Sequence, residues 1–198
     1  VDLSADPFNF DLTGAMGGQA WISDGDGDQT VAEPPQPPQF QASLNGDWIQ
    51  GWGFETGTPL AVEVFDAVGG TSQFAITVTP DGDGYFNLNN LGGVDLVAGT
   101  YITVGARSLV MVDVSFDTFD VDLDTLGGTA AAGATVGFGV GNESFGFDGE
   151  TVAVAGDTWS VDLSGTFDLT QDMGGQAWIS DDDGDQTVAD GGPPEPEI

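Results

Sequence analysis

Phe10–Ala32 and Phe167–Ala189 are identical at 20 of 23 positions, aligned without a gap at an offset of 157 residues. A near-verbatim repeat at this distance in a chain of 198 residues fixes the organisation before any strand or helix is assigned. Val1-Asp2-Leu3-Ser4 matches Val161-Asp162-Leu163-Ser164 after a three-residue change in length. Residues 1–33 therefore read as the closing part of one unit, whose full copy ends near Asp190. Val1 opens in mid-pattern, so the chain is expected to be a piece of something longer.

A weaker echo divides the period. Gly51–Phe65 (GWGFETGTPLAVEVF) and Gly127–Val140 (GGTAAAGATVGFGV) each run from a Gly-ended strand through a Gly-closed turn into an alternating strand. Asp81–Val104 likewise parallels Ala155–Ile179. The expected organisation is the tail of a preceding unit (1–33), a Pro-rich linker (34–39), sandwich A (40–115), sandwich B (116–190) and a second Pro-rich linker (191–198). EPPQPPQ and GGPPEPEI favour extended, semi-rigid spacers. No such spacer separates A from B, so the pair is expected to dock.

The segments themselves are short and β-branched or alternating: Pro59–Asp66, Phe74–Pro80, Tyr101–Ala106 and Leu109–Phe116, with Gly, Asp and Asn clusters between them. In Asp157–Ser164, Trp159, Val161 and Leu163 share one face, and Ser160 and Asp162 the other. No stretch combines a 3.6-residue apolar period with helix-start signals. Short strands punctuated at this spacing predict all-β sandwiches.

The succession Gly57-Thr-Pro-Leu-Ala-Val-Glu-Val64, Val78-Thr-Pro-Asp-Gly-Asp-Gly-Tyr-Phe86 and Leu96-Val-Ala-Gly-Thr-Tyr-Ile-Thr-Val104 resembles the bacterial immunoglobulin-like tandem repeats of large surface and adhesin proteins. The pattern covers A well and B in part; the missing lysines and the Gly-rich strands of B depart from it. The resemblance implies tandem immunoglobulin-like β-sandwiches in a linear array, forming an extracellular filament, stalk or surface fibre.

Charge narrows function independently. The chain carries 33 acidic residues, one cation (Arg107), no histidine and no cysteine. One arginine cannot build the basic surface that nucleic acid or anionic lipid requires, and no apolar run is long enough to insert into a membrane. Yet 39% of the residues are hydrophobic, with five Trp and 13 Phe, so a folded, acidic-surfaced protein is expected rather than a solvated tail. Self-repulsion on this scale calls for bound cations or high salt, which points outside the cytoplasm. Without His, Cys or Lys there is no nucleophilic triad, catalytic thiol or Schiff base, and no carboxylate pair stands out for glycoside chemistry. The chain reads as a non-enzyme.

The repeated phrase supplies the candidate metal ligands. Asp24, Asp26 and Asp28, and their equivalents Asp181, Asp183 and Asp185, alternate in a Gly-containing turn between strands. Alternate carboxylates can converge on calcium, which takes six to eight oxygens at about 2.4 Å; the same residues also suit an empty, solvated hairpin tip. Asp117, Asp120, Asp122 and Asp124, near the A–B boundary, pose the same choice between a junction site and a solvated face. Trp48 and Trp52 flank Ile49 near the first linker and are candidates for a domain joint or for stacking on glycan, the latter giving an adhesive, glycan-binding alternative. Trp159 and Trp178 are expected in core or inter-domain packing. The expected partners are further copies of the chain or adjacent repeats, with residues 1–33 offering strands for β-strand addition.

Overall fold

The computed structural model describes residues 37–142, 146–153 and 156–193 and, as backbone, the strands β1 (Ala20–Ser23) and β2 (Gln29–Ala32). No described residue is helical. The chain divides into two compact units at Pro37/Pro38. Within the first, β1 and β2 pair antiparallel, with Ala20 opposite Ala32 and Ser23 opposite Gln29.

In the second unit, seven strands occupy residues 39–110: β3 (Gln39–Ser43), β4 (Ile49–Trp52), β5 (Leu60–Phe65), β6 (Ser72–Val78), β7 (Phe86–Leu88), β8 (Tyr101–Val104) and β9 (Arg107–Val110). Alternation decides how they pack. Val62 and Val64 on β5 lie opposite Val104 and Ile102 on β8, and Ile102 lies opposite Leu109 on β9. All five side chains are buried. This aliphatic face of the four-stranded sheet β6-β5-β8-β9 closes on Phe40, Ala42, Ile49 and Phe86 from β3, β4 and β7. The result is one hydrophobic core spanning Phe40–Met111.

Seven more strands follow: β10 (Thr118–Asp120), β11 (Thr125–Thr129), β12 (Thr135–Gly141), β13 (Gly146–Val152), β14 (Thr158–Asp162), β15 (Gly174–Ser180) and β16 (Gln186–Gly191). The sheet β10-β11-β14 sets Leu126 and Trp159 against Val136, Phe138, Val140, Ala177 and Ala189 of the facing sheet. Trp159 is the largest of the fully buried side chains. Its Nε1 donates to the Ser115 carbonyl at 3.0 Å, and its ring meets Phe116 edge-on at 5.6 Å. The second core spans Val114–Ala189. The architecture is all-β and of sandwich type.

The two cores share a sheet. Its order, β13-β12-β15-β16-β3-β4-β7, runs from the second sandwich into the first through β16 and β3. That ladder is parallel, pairing Gln186, Thr187 and Val188 with Gln41, Ala42 and Ser43, and every other described ladder is antiparallel. One sequence expectation fails near this seam. Leu109–Phe116 does not continue as a strand: β9 stops at Val110, and beyond it only Val114 bridges to Ala130. The reason is a change of partner. The Met111 N–H still donates to the Thr100 carbonyl at 2.9 Å, but the Val112 N–H donates to Thr187 Oγ1 at 3.1 Å, in the other sandwich.

Candidate functional site

The repeated phrase, in its described copy, forms the tip of the β15–β16 hairpin and lies against the first sandwich. Its turn is built by Asp181. One carboxylate oxygen accepts the N–H groups of Asp183 and Asp185, both at 3.0 Å; the Asp181 N–H donates to the Asp185 carbonyl and the Gly184 N–H to the Asp181 carbonyl. Gly184 sits at φ 90°, a conformation that favours glycine, and lies against the Gln39 side chain.

Asp185, last in the turn, points into the protein and is fully buried. Arg107 at the start of β9 meets it with both ends of its guanidinium: Nη2 lies 2.9 Å from Oδ1 and Nε donates to Oδ2 at 3.1 Å. Nη2 also donates to the Asp183 carbonyl at 2.8 Å, and the Phe40 N–H donates to Asp185 Oδ1 at 2.9 Å. The only cation in the chain is thus committed to the carboxylate that bridges the two sandwiches. Burial pushes the Asp185 carboxyl above its ordinary value of 3.8; Asp181 adds to the rise, while Arg107 and the Phe40 N–H oppose it. Burial works against the charge on Arg107 too, but the Asp185 hydrogen bond and the charges of Asp185, Asp183 and Asp181 hold its guanidinium above its ordinary value.

Beside Ala42, Val188 and Leu44, the last packed on both cores, the seam carries a set of engaged polar groups. Asp190 accepts from Ser43 Oγ at 2.6 Å and Trp48 Nε1 at 3.1 Å on one oxygen, and from Gln176 Nε2 at 2.7 Å on the other. Asn45 brackets its backbone: Nδ2 donates to the Asp190 carbonyl at 2.7 Å and Oδ1 accepts its N–H at 2.8 Å. Of the five buried polar or charged residues described, Gln41, Ser43, Asp185 and Thr187 lie at this seam. None of the described buried polar side chains lacks a partner. A polar set satisfied throughout specifies one register and one orientation.

Two of the three described carboxylates read as calcium ligands are engaged: one oxygen of Asp181 folds the turn, and Asp185 holds the guanidinium, which it would have to release to close on a metal. Among the described residues no group of three or more acidic, His or Cys side chains is placed to hold a metal ion, so this donor set does not fit calcium in this arrangement. Asp24, Asp26 and Asp28 lie outside the described residues. In the run from Asp117 to Asp124, Asp120 folds its own turn by accepting the N–H groups of Asp122 and Leu123, whereas Asp124, at φ 50°, accepts that of the distant Leu169.

The tryptophans separate by environment. Trp48 sits at the seam through Asp190, and Trp52 is half-buried on β4. Trp178, expected in core or inter-domain packing, belongs to neither core and lies half-buried on the outer face of the large sheet. Gly137 and Gly139 make this possible: a Cβ at Gly137 would fall 2.3 Å from the indole Cε2 and Nε1. Sequence reasoning missed Arg107 as a site residue, although the signal was present in its being the sole cation.

No family model matches the chain. No curated protein matches it at a significant level. Among solved structures it is similar to a tetra-tandem repeat from the extending region of a large adhesion protein, at 16% identity over 91% of this chain and 57% of that one, with a TM-score of 0.34. It is also similar to the BSP domain of a biofilm-associated protein (17% identity, 77% of this chain, 28% of that one, TM-score 0.32). A third is a 1.5-MDa bacterial ice-binding adhesin (15% identity, 88% and 72%, TM-score 0.29). The chain spans little more than half the length of the first of these and under a third of the second.

Proposed function

We propose that this chain is a structural repeat of an extracellular filament, stalk or surface fibre, assembled head to tail from β-sandwiches. One observation carries the reading: the phrase that recurs at an offset of 157 residues is the element that fastens one sandwich to the other. The hairpin β1–β2 has the register of β15–β16 residue for residue, Ala20↔Ala32 answering to Ala177↔Ala189 and Ser23↔Gln29 to Ser180↔Gln186. Each period therefore brings its own fastener, as a modular rod needs and a dedicated ligand site does not. The natural partners are adjacent repeats or further copies, with residues 1–33 supplying strands to a sandwich of the preceding repeat. Arg107 supplies at the described tip the neutralisation that calcium was expected to bring, and the acidic surface suits a saline exterior.

The test is small-angle scattering on chains of one, two and three 157-residue periods. The maximum dimension is expected to grow by a constant increment per period. A dimension that stays nearly constant as periods are added would refute the rod.

A further inference from the structure

We infer a second, independent function: the outer face of the second sandwich carries a groove that binds a neutral saccharide chain, with Trp178 as its stacking platform. The groove has a volume of about 740 Å³, within the range of pockets that hold small ligands. Three cross-strand rows frame it, the first contributing only Trp178 to its lining. The first sets Glu150, Gly137, Trp178 and Val188 side by side; the second, Asp148, Gly139, Gln176 and Asp190; the third, Gly146, Gly141 and Gly174. From first row to third is four residues along each strand, about 13 Å, room for two or three hexose rings.

Each row has its own chemistry. In the first, the indole of Trp178 spans the bare backbone of β12: its Nε1 edge lies over Gly137, and Cζ3 would stand 3.5 Å from a Cβ at Gly139. One ring face rests on glycine and the other is turned outward, where the C–H face of a pyranose can stack. In the second, Gly139 leaves a gap between the carboxylate of Asp148 and the amide of Gln176, which Asp190 fixes at 2.7 Å. Carboxylates are strong acceptors for hydroxyl donors, the groups that sugars offer in number. The third row has no side chains. Gly174 needs no such bareness for packing, since a Cβ there would meet nothing nearer than the Gly191 carbonyl at 3.8 Å.

Charge and shape select among ligands. No cation lines the groove and the chain carries a net charge of −32, so acidic saccharides are repelled. An organic cation would suit the charge, but such ligands are held in cages of several rings. Among the described lining residues the other aromatic, Phe147, packs its ring on Phe138 and Phe167, at 6.2 and 5.6 Å. One platform continued by a flat floor fits a chain of rings better than a compact cation.

The test is titration of the full chain with cellohexaose, chitohexaose and maltohexaose, and with choline, by calorimetry and by the indole N–H resonance of Trp178, identified as the one lost in Trp178→Phe. At least one oligosaccharide is expected to bind with a Kd below about 1 mM and to shift that resonance. Gly174→Leu, which fills the bare third row without touching the core, should weaken binding at least tenfold with Tm unchanged, and Asp148→Asn about threefold. The inference is overturned if none of the three sugars binds at 10 mM, if Gly174→Leu binds as tightly as the parent chain, or if choline alone moves the resonance.

Discussion

Asp81–Tyr85 and Asp181–Asp185 are the same turn used twice. In both, the first aspartate accepts the N–H groups of the third and fifth residues at 3.0 Å, its own N–H donates to the fifth carbonyl at 2.9 Å, and a left-handed glycine in fourth place donates to the first carbonyl at 3.1 Å. They differ in the second residue, Gly82 against Asp182, and in the fifth, where the difference counts. Tyr85 is exposed and its hydroxyl reaches only Gln50 within its own sandwich, whereas Asp185 is buried and crosses to the other sandwich. Asp81 and Asp181 are thus the grammar of a tight turn. One carboxylate, in a slot the turn leaves free for any side chain, makes a domain joint.

The largest effect expected from breaking this contrast is at the ion pair. Arg107→Ala leaves Asp185 buried without its partner and should cost about 3 kcal/mol, the lower end for such pairs because the arginine is partly exposed. Calorimetry should then resolve two transitions, one per core, where the parent chain gives one; Tyr85→Ala should leave a single transition within about 0.5 kcal/mol of the parent.

A pH series probes the same carboxylate. Because Asp185 is raised in the folded state, that state binds more protons in the window just above 3.8. Stability linked to this group is therefore gained as pH falls into the window and lost as pH rises through it. Repulsion among 33 acidic residues has the same sign. Asp162 and Asp172, lowered by hydrogen bonds from Ser164 and Thr170, act oppositely and only below their ordinary value. Tm should rise as pH falls from about 7.5 towards about 4, and the Arg107→Ala deficit should shrink as Asp185 takes up a proton.

Asp81→Ala and Asp181→Ala each remove an acceptor of two backbone N–H groups and should cost alike, about 1 kcal/mol in denaturant midpoints analysed at constant m. A loss at Asp181 more than twice that at Asp81 would show that the two turns are not equivalent. The smallest effect is expected from metal: 1 mM calcium should move Tm no further than 1 mM magnesium does, and a larger calcium shift would mean that Arg107 yields its place.

Much of the fold was legible in the sequence because two-residue alternation and Gly/Asp punctuation are local signals. Phe40–Met111 and Val114–Ala189 are the two cores, and Trp159 on β14 and Leu163 just after it are both buried in the second. The joint was not legible. The parallel pairing of β16 with β3 joins residues about 145 apart, and nothing local marks Asp185 as buried and Asp183 as exposed. Trp178 misled for a related reason. Alternation along β15 fixes that it opposes Ala177, but only the cross-strand glycines of β12 show that a large ring is welcome on the outer face.

The parallel ladder has one more consequence. β3 is the first strand of the two-sandwich unit and β16 its last, and they run side by side in the same direction. Tension drawn between Pro38 and Gly192 would slide them past each other lengthwise, so the ladder bonds, the Leu44–Val188 bond and the Arg107–Asp185 clasp would strain together instead of peeling open in turn. Resistance to forced unfolding is a matter of rate, and a shear geometry raises the force at which that rate becomes appreciable.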